Sequence, residues 1–147
     1  MSIEKSFVSD LGVGIKTEVP PDKTWKTYDR LSWDDYFLNI AKAVSLRSTC
    51  PRLQVGAVIV DDNKIIATGF NGASKSEDHC IDVGCLIVNG RCKRAIHAEA
   101  NAIEQACMYS TIPEGYSIYV THSPCKICIE DLENVGITNI HYSKEYK

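Results

Sequence analysis

The chain has 147 residues, is 44% hydrophobic and 24% charged, and carries a formal net charge of −3. That length suits one domain around one core, and no apolar run reaches the ~20 residues of a membrane-spanning helix. The acidic balance argues against a broad surface tracking nucleic-acid phosphates, and the start, MSIEKSFVSDLG, lacks the blocks of a secretory signal, so a cytoplasmic protein bound to neither membrane nor nucleic acid is expected.

Residues 1–30, with GVG and VPPDK and little apolar periodicity, read as an N-terminal arm. The ordered domain, 31–147, begins with LSWDDYFLNIAKAVSLRS. Ser32 is a helix cap there, Asp34 and Asp35 suit the positive end, and Trp33, Phe37, Ile40, Ala41 and Val44 make one apolar face. QVGAVIVDDNKIIATGF predicts a hairpin turning at Asp61, Asp62 and Asn63. A polar, Cys-rich loop covers 71–93. A helix follows over 98–108, with Cys107 as a buried small apolar residue. GYSIYVT predicts a strand, PCKICIEDLENVG a helix stopped by Gly136, and ITNIHY a last strand. The order predicts an α/β protein of three layers, α/β/α, with helices on both faces of a mixed central sheet.

Seven cysteines are many for a short intracellular chain, where disulfides are disfavoured and metal binding or catalysis gains weight. In THSPCKIC, Cys125 and Cys128 lie three apart, so both sulfurs can share one helix face. Ser123 as N-cap and Pro124 as first helical residue place the pair in the first turn, where the helix end favours thiolates. In RAIHAEANAI, His97 and Glu99 are two apart, and such positions diverge inside a helix. They face one point only if the helix begins between them. His97, Cys125 and Cys128 then form a three-ligand zinc site with an open fourth position, the pattern of a catalytic rather than a structural ion. Two thiolates cancel the charge of the ion, so its water needs a base, and Glu99 is the proton shuttle. A lone C-x-x-C also serves redox pairs and structural zinc ribbons. H-A-E together with P-C-x-x-C is the signature of the zinc deaminases.

These motifs, with LRSTCPRLQVGAVIV, ATGFNG, DHCIDVGCLIVNGRCKRAIHAEANAI, IYVTHSPCKIC and GITNIHY, resemble the deoxycytidylate (dCMP) deaminases of the cytidine deaminase-like fold, especially late-competence-type bacterial and phage members. The resemblance covers about residues 33–147. It implies hydrolysis of dCMP to dUMP and ammonia, supplying dUMP for thymidylate synthesis, in the cytoplasm or, for a phage-encoded chain, the host cytoplasm. It implies the zinc ligands and Glu99 as above, substrate contacts from Ala98 and Asn71, and phosphate contacts from Arg47 and Ser48. A guanidinium can grip phosphate with two parallel bonds. It also implies a homo-hexamer activated by dCTP and inhibited by dTTP through a loop here reading GFNG, which brings in Phe70, Asn71 and Gly72. Phe70 stands where relatives carry tyrosine, and ASKSEDH lacks their proline and glycines. Some relatives hold a second, structural zinc. Cys50, Cys80, Cys85 and Cys92, with His79 as a substitute ligand, are its candidates here, and such a site would order a long loop. Competing readings are a deaminase of dCTP, or of both dCMP and dCTP, and a catalytically silent zinc-bearing nucleotide sensor.

Overall fold

The computed structural model describes residues 29–109 and 115–145. The arm expected over residues 1–30 lies outside them apart from Asp29 and Arg30, and the description is of the unit from Leu31 onward. Helix α1 (Trp33–Ser45) opens at Ser32, whose Oγ accepts from the Asp35 N–H at 3.1 Å and donates to Asp35 Oδ2 at 2.9 Å. Strands β1 (Gly56–Asp61) and β2 (Lys64–Phe70) follow as an antiparallel hairpin. Asp62 and Asn63 turn it with φ of 43° and 60°, the left-handed pair of the tight turn whose twist matches the strands.

After a lobe described below come α3 (Ala98–Tyr109), β5 (Ser117–His122), α4 (Lys126–Asn134) and β6 (Asn139–Lys144). The four long strands form one mixed sheet, ordered β2-β1-β5-β6. β1 runs antiparallel to both neighbours, and β5 runs parallel to β6.

Strand alternation sorts the side chains into two cores. Val58, Val60 and Tyr119 pack against Phe37 and Ala41 of α1. Ala57, Ile59, Ile118 and Val120 face the other way and pack against Ala98, Ala102 and Ala106 of α3 and Leu132 of α4. Helices therefore cover both faces, and the protein is the three-layer α/β/α sandwich that the element order implies. No helix among the described residues is long and apolar enough to cross a membrane.

Two glycines set how closely helices approach the sheet. A Cβ on Gly56 would lie 2.1 Å from the Ala41 carbonyl oxygen, and one on Gly69 would lie 2.3 Å from that of Ala98. α3 thus rests backbone to backbone on β2, which fixes the height of its first turn. The buried stripe of α1 is Phe37, Ala41 and Ser45, whereas Trp33 is half exposed and stacks on Phe37 at 5.7 Å. Helix α4 ends as expected. Gly136 (φ 85°) donates to the Glu133 carbonyl at 3.0 Å and Ile137 to that of Leu132 at 2.9 Å, with the Ile137 and Leu132 side chains both fully buried.

Three expectations are corrected. The helix predicted from Pro124 starts at Lys126, and Cys125 is its cap, with extended backbone (ψ 166°), in place of Ser123. Cys107 is exposed, because α3 turns Ala98, Ala102 and Ala106 toward the sheet and position 107 lies off that stripe. The loop over 71–93 is not featureless. It holds a short helix α2 (Cys80–Val83) and a ribbon of β3 (Ile87–Val88) and β4 (Arg91–Cys92), turned at Asn89 (φ 51°) and Gly90 (φ 75°).

Gly69→Ala is expected to lower stability by about 3 kcal/mol, because the helix backbone must move away from the strand. Denaturant unfolding measures it, and a change within about 0.5 kcal/mol, as at an ordinary surface site, would contradict this close approach.

Candidate functional site

The chain enters α3 between His97 and Ala98, so His97 lies just outside the helix and Glu99 in its first turn. Cys125 caps α4, and Cys128 occupies the third helical position. Cap and third-position side chains face each other across a helix start. Both helices begin on the same side of the sheet. The result is a cluster in which His97 Nδ1 lies 3.2 Å from Cys128 Sγ and 3.6 Å from Cys125 Sγ. All three ligand atoms lie within 4.8 Å of one another.

This donor set fits zinc. Bonds of ordinary length to one tetrahedral ion require about 3.6 Å between nitrogen and sulfur and about 3.8 Å between sulfurs. Burial, and after it Glu99 and Cys125, push the Cys128 thiol far above its usual range. These effects outweigh the helix terminus that was expected to favour the thiolate, so a cation in contact is what would ionise it.

Glu99 is 4% exposed, and its Oε2 accepts from the Cys128 thiol at 3.6 Å. Burial raises its carboxyl above the usual range, against the pull of its own N–H, His97 and Cys128. A carboxyl raised in this way accepts a proton more readily than an ordinary one, the property a proton-transferring group needs.

The cluster opens into a cleft of about 580 Å³, the size of a small-molecule site. Asn71, Ala98, Glu99 and His122 line it, as do the cations Arg52, Arg91 and Lys93. Asn71 and Ala98 stand where substrate contacts were expected. Arg47 and Ser48 do not line this cleft. Arg47 is exposed past the end of α1, whereas Ser48 is buried beneath Asn71 and donates to its Oδ1 (2.6 Å) and its carbonyl (2.8 Å). The same Oδ1 accepts from the Val55 N–H at 2.8 Å, and Asn71 Nδ2 donates to the Leu53 carbonyl at 2.7 Å. The side-chain amide of Asn71 is therefore clamped. Of the residues expected in an effector loop, Phe70 and Gly72 lie outside the cleft. The Phe70 carbonyl accepts from Asn101 Nδ2 at 2.8 Å.

Sequence reasoning missed Arg91, Lys93 and His122 as cleft residues. The dipeptide Asn89–Gly90 was a hairpin signal that would have placed the first two beside a turn. The expected second set of thiols assembles only in part. The sulfurs of Cys80, Cys85 and Cys92 gather within 4.8 Å, while Cys50 stands apart from them and lines the cleft. Burial, then Cys92 and Cys85, push Cys80 up to about 12. For Cys92, burial is outweighed by backbone N–H groups of Ala95, Arg94 and Leu86 and by Cys80, which bring the thiol down to about 7.

Residues 31–144 match the model of the cytidine and deoxycytidylate deaminase zinc-binding region. The chain belongs to this zinc-binding deaminase family. It is 45% identical to ComE operon protein 2 of Bacillus subtilis over 81% of this chain and 63% of that protein. It is 37% identical to the deoxycytidylate deaminase of Mycobacterium phage D29, over 79% and 98%. Among solved structures, the dCMP deaminase of cyanophage S-TIM5 in complex with dCMP and dUMP superposes with a TM-score of 0.70 at 28% identity, covering 81% of this chain and 86% of that one. The fold is thus cytidine deaminase-like, with zinc the metal of the family. The chain spans less than two thirds of the Bacillus relative and 47% of the Saccharomyces cerevisiae deoxycytidylate deaminase that it also matches.

Ser48→Ala is expected to cost about 1–3 kcal/mol, because the Asn71 side-chain oxygen and carbonyl lose a buried donor. Chemical unfolding measures it, and an unchanged midpoint would show that this hydroxyl does not hold the Asn71 side chain.

Proposed function

We propose that residues 31–147 form a catalytic domain that hydrolyses dCMP to dUMP and ammonia. The observation that carries this reading is a buried carboxyl beside an imidazole and two sulfurs that close on one point within a nucleotide-sized cleft. His97, Cys125 and Cys128 would hold the zinc, which would supply the Lewis acidity that makes a water molecule reactive at neutral pH. Glu99, the buried carboxyl beside Cys128, would take one proton from the attacking water and deliver it to the ring nitrogen next to the reacting carbon. It then carries the second proton to the 4-amino group. The water oxygen becomes the carbonyl, and ammonia leaves. Metal binding alone does not call for a buried carboxyl, which weighs against a silent sensor.

Clamped Asn71 offers a fixed polar group for the sugar, and Ala98 lines the cleft beside it. Arg52, Arg91 and Lys93 match a phosphate, a role we assign to them in place of Arg47 and Ser48. Three cations rather than one also suit a triphosphate, so dCTP is the second reading. Homo-hexameric assembly and control by dCTP and dTTP accompany the proposal through the family resemblance alone.

Turnover of dCMP, dCTP, deoxycytidine and a single-stranded oligonucleotide tests it, together with Glu99→Gln. The wild type should favour dCMP. Glu99→Gln should keep its fold and zinc while losing about 10²- to 10⁴-fold in kcat. A variant as active as wild type would overturn the role of Glu99, and preference for the oligonucleotide would overturn the substrate.

A further inference from the structure

We propose that His122 is a specificity residue, whose ring Nε2–H donates to a phosphate oxygen of the bound nucleotide and so sets a preference for the nucleotide over the free nucleoside. The inference rests on the dCMP reading above and adds to it a contact from the strand side of the cleft. His122 closes β5, three positions before the cluster residue Cys125. Ile118 and Val120 of this strand pack toward α3 and α4, and alternation carries position 122 to the same face, at the strand end where the cleft opens.

The backbone here is held firmly. His122 pairs with Lys144 of β6, the Ser123 N–H donates to the Lys144 carbonyl at 2.8 Å, and Ser143 Oγ donates to the Thr121 carbonyl at 2.8 Å. Thr121 also fixes the ring. Its Oγ1 accepts from the Gly56 N–H at 3.2 Å and lies 3.0 Å from His122 Nδ1. Thr121 is buried, so its own hydroxyl proton needs an acceptor, and among the described residues Nδ1 is the one within reach. An unprotonated Nδ1 accepts that bond and leaves the ring proton on Nε2. With the proton on Nδ1 instead, a buried hydroxyl would be left without an acceptor.

Burial, and after it the Lys144 ammonium, hold the imidazole below its usual range, so near neutrality the ring is uncharged and keeps this single donor. Among the described residues its one hydrogen-bond partner is Thr121, which leaves Nε2 to meet a ligand in the cleft. An anion is the ligand that suits it. Lys144 stands near the ring, and Arg52, Arg91 and Lys93 line the same cleft. A charged phosphate oxygen also accepts an N–H bond more strongly than a neutral carbonyl does.

Steady-state kinetics of the zinc-loaded enzyme with dCMP and with deoxycytidine test the role. His122→Phe should raise KM for dCMP about 10- to 100-fold, the scale of one hydrogen bond to a charged group, with kcat little changed. Its kcat/KM for deoxycytidine should stay at the wild-type value. His122→Gln, which keeps an N–H donor near the Nε2 position, should recover most of the dCMP loss. Equal losses on both substrates would overturn the proposal, and so would a KM for dCMP that does not move. Imidazole nitrogen NMR of the zinc-loaded wild type needs no variant. It should show His122 protonated at Nε2 and bare at Nδ1, and the Nε2 signal should move with dUMP but not with deoxyuridine. A proton on Nδ1, the same movement with both ligands, or none with dUMP would overturn the proposal. A wild type inactive on dCMP would instead fault the substrate reading, a failure distinct from an active wild type whose His122→Phe variant matches it.

Discussion

The site depends on two helices beginning at one place. His97 and Cys128 are 31 positions apart, yet nitrogen and sulfur stand 3.2 Å from each other. The sheet makes this possible. β1 lies between β2 and β5, so α3, seated on β2 through Gly69, and α4, following β5, bring their first turns to the same side. A half-turn error in either helix start would carry a ligand away from the metal. The glycine contact under α3 and the extended cap at Cys125 are therefore part of the chemistry as much as of the fold.

Burial acts on this cluster in two directions. It raises the Cys128 thiol and the Glu99 carboxyl together, so with no cation present both groups hold their protons more firmly than in water. A divalent ion reverses the balance for the thiol. The Glu99 carboxyl, raised by its burial, stays beside the Cys128 sulfur.

Much of this was legible in the sequence because the signals were local. Ser32 with its acidic first turn, Asp62–Asn63 between two β-branched runs, and Gly136 after a periodic stretch each state a backbone geometry. The separation of His97 and Glu99 by two positions required a helix start between them, and the helix does start there. Signals depending on tertiary packing read less well. Proline at 124 suggested an earlier helix start, but Cys125 takes the cap position that turns its sulfur toward Cys128. Cys107 looked like core because its neighbours did, and only the phase of α3 against the sheet shows otherwise. Arg47, named by resemblance, lies outside the cleft that Arg52, Arg91 and Lys93 line, and spacing along a chain carries no information about which loop folds over a cleft. Cys50 fails to join the other three thiols for the same reason.

Anomalous diffraction at the zinc edge, from crystals of the zinc-loaded protein, tests the central claim most directly. A peak bonded to His97 Nδ1, Cys125 Sγ and Cys128 Sγ, with Glu99 next to its open side, is the predicted result. Zinc bound elsewhere while these three side chains point apart would contradict the account.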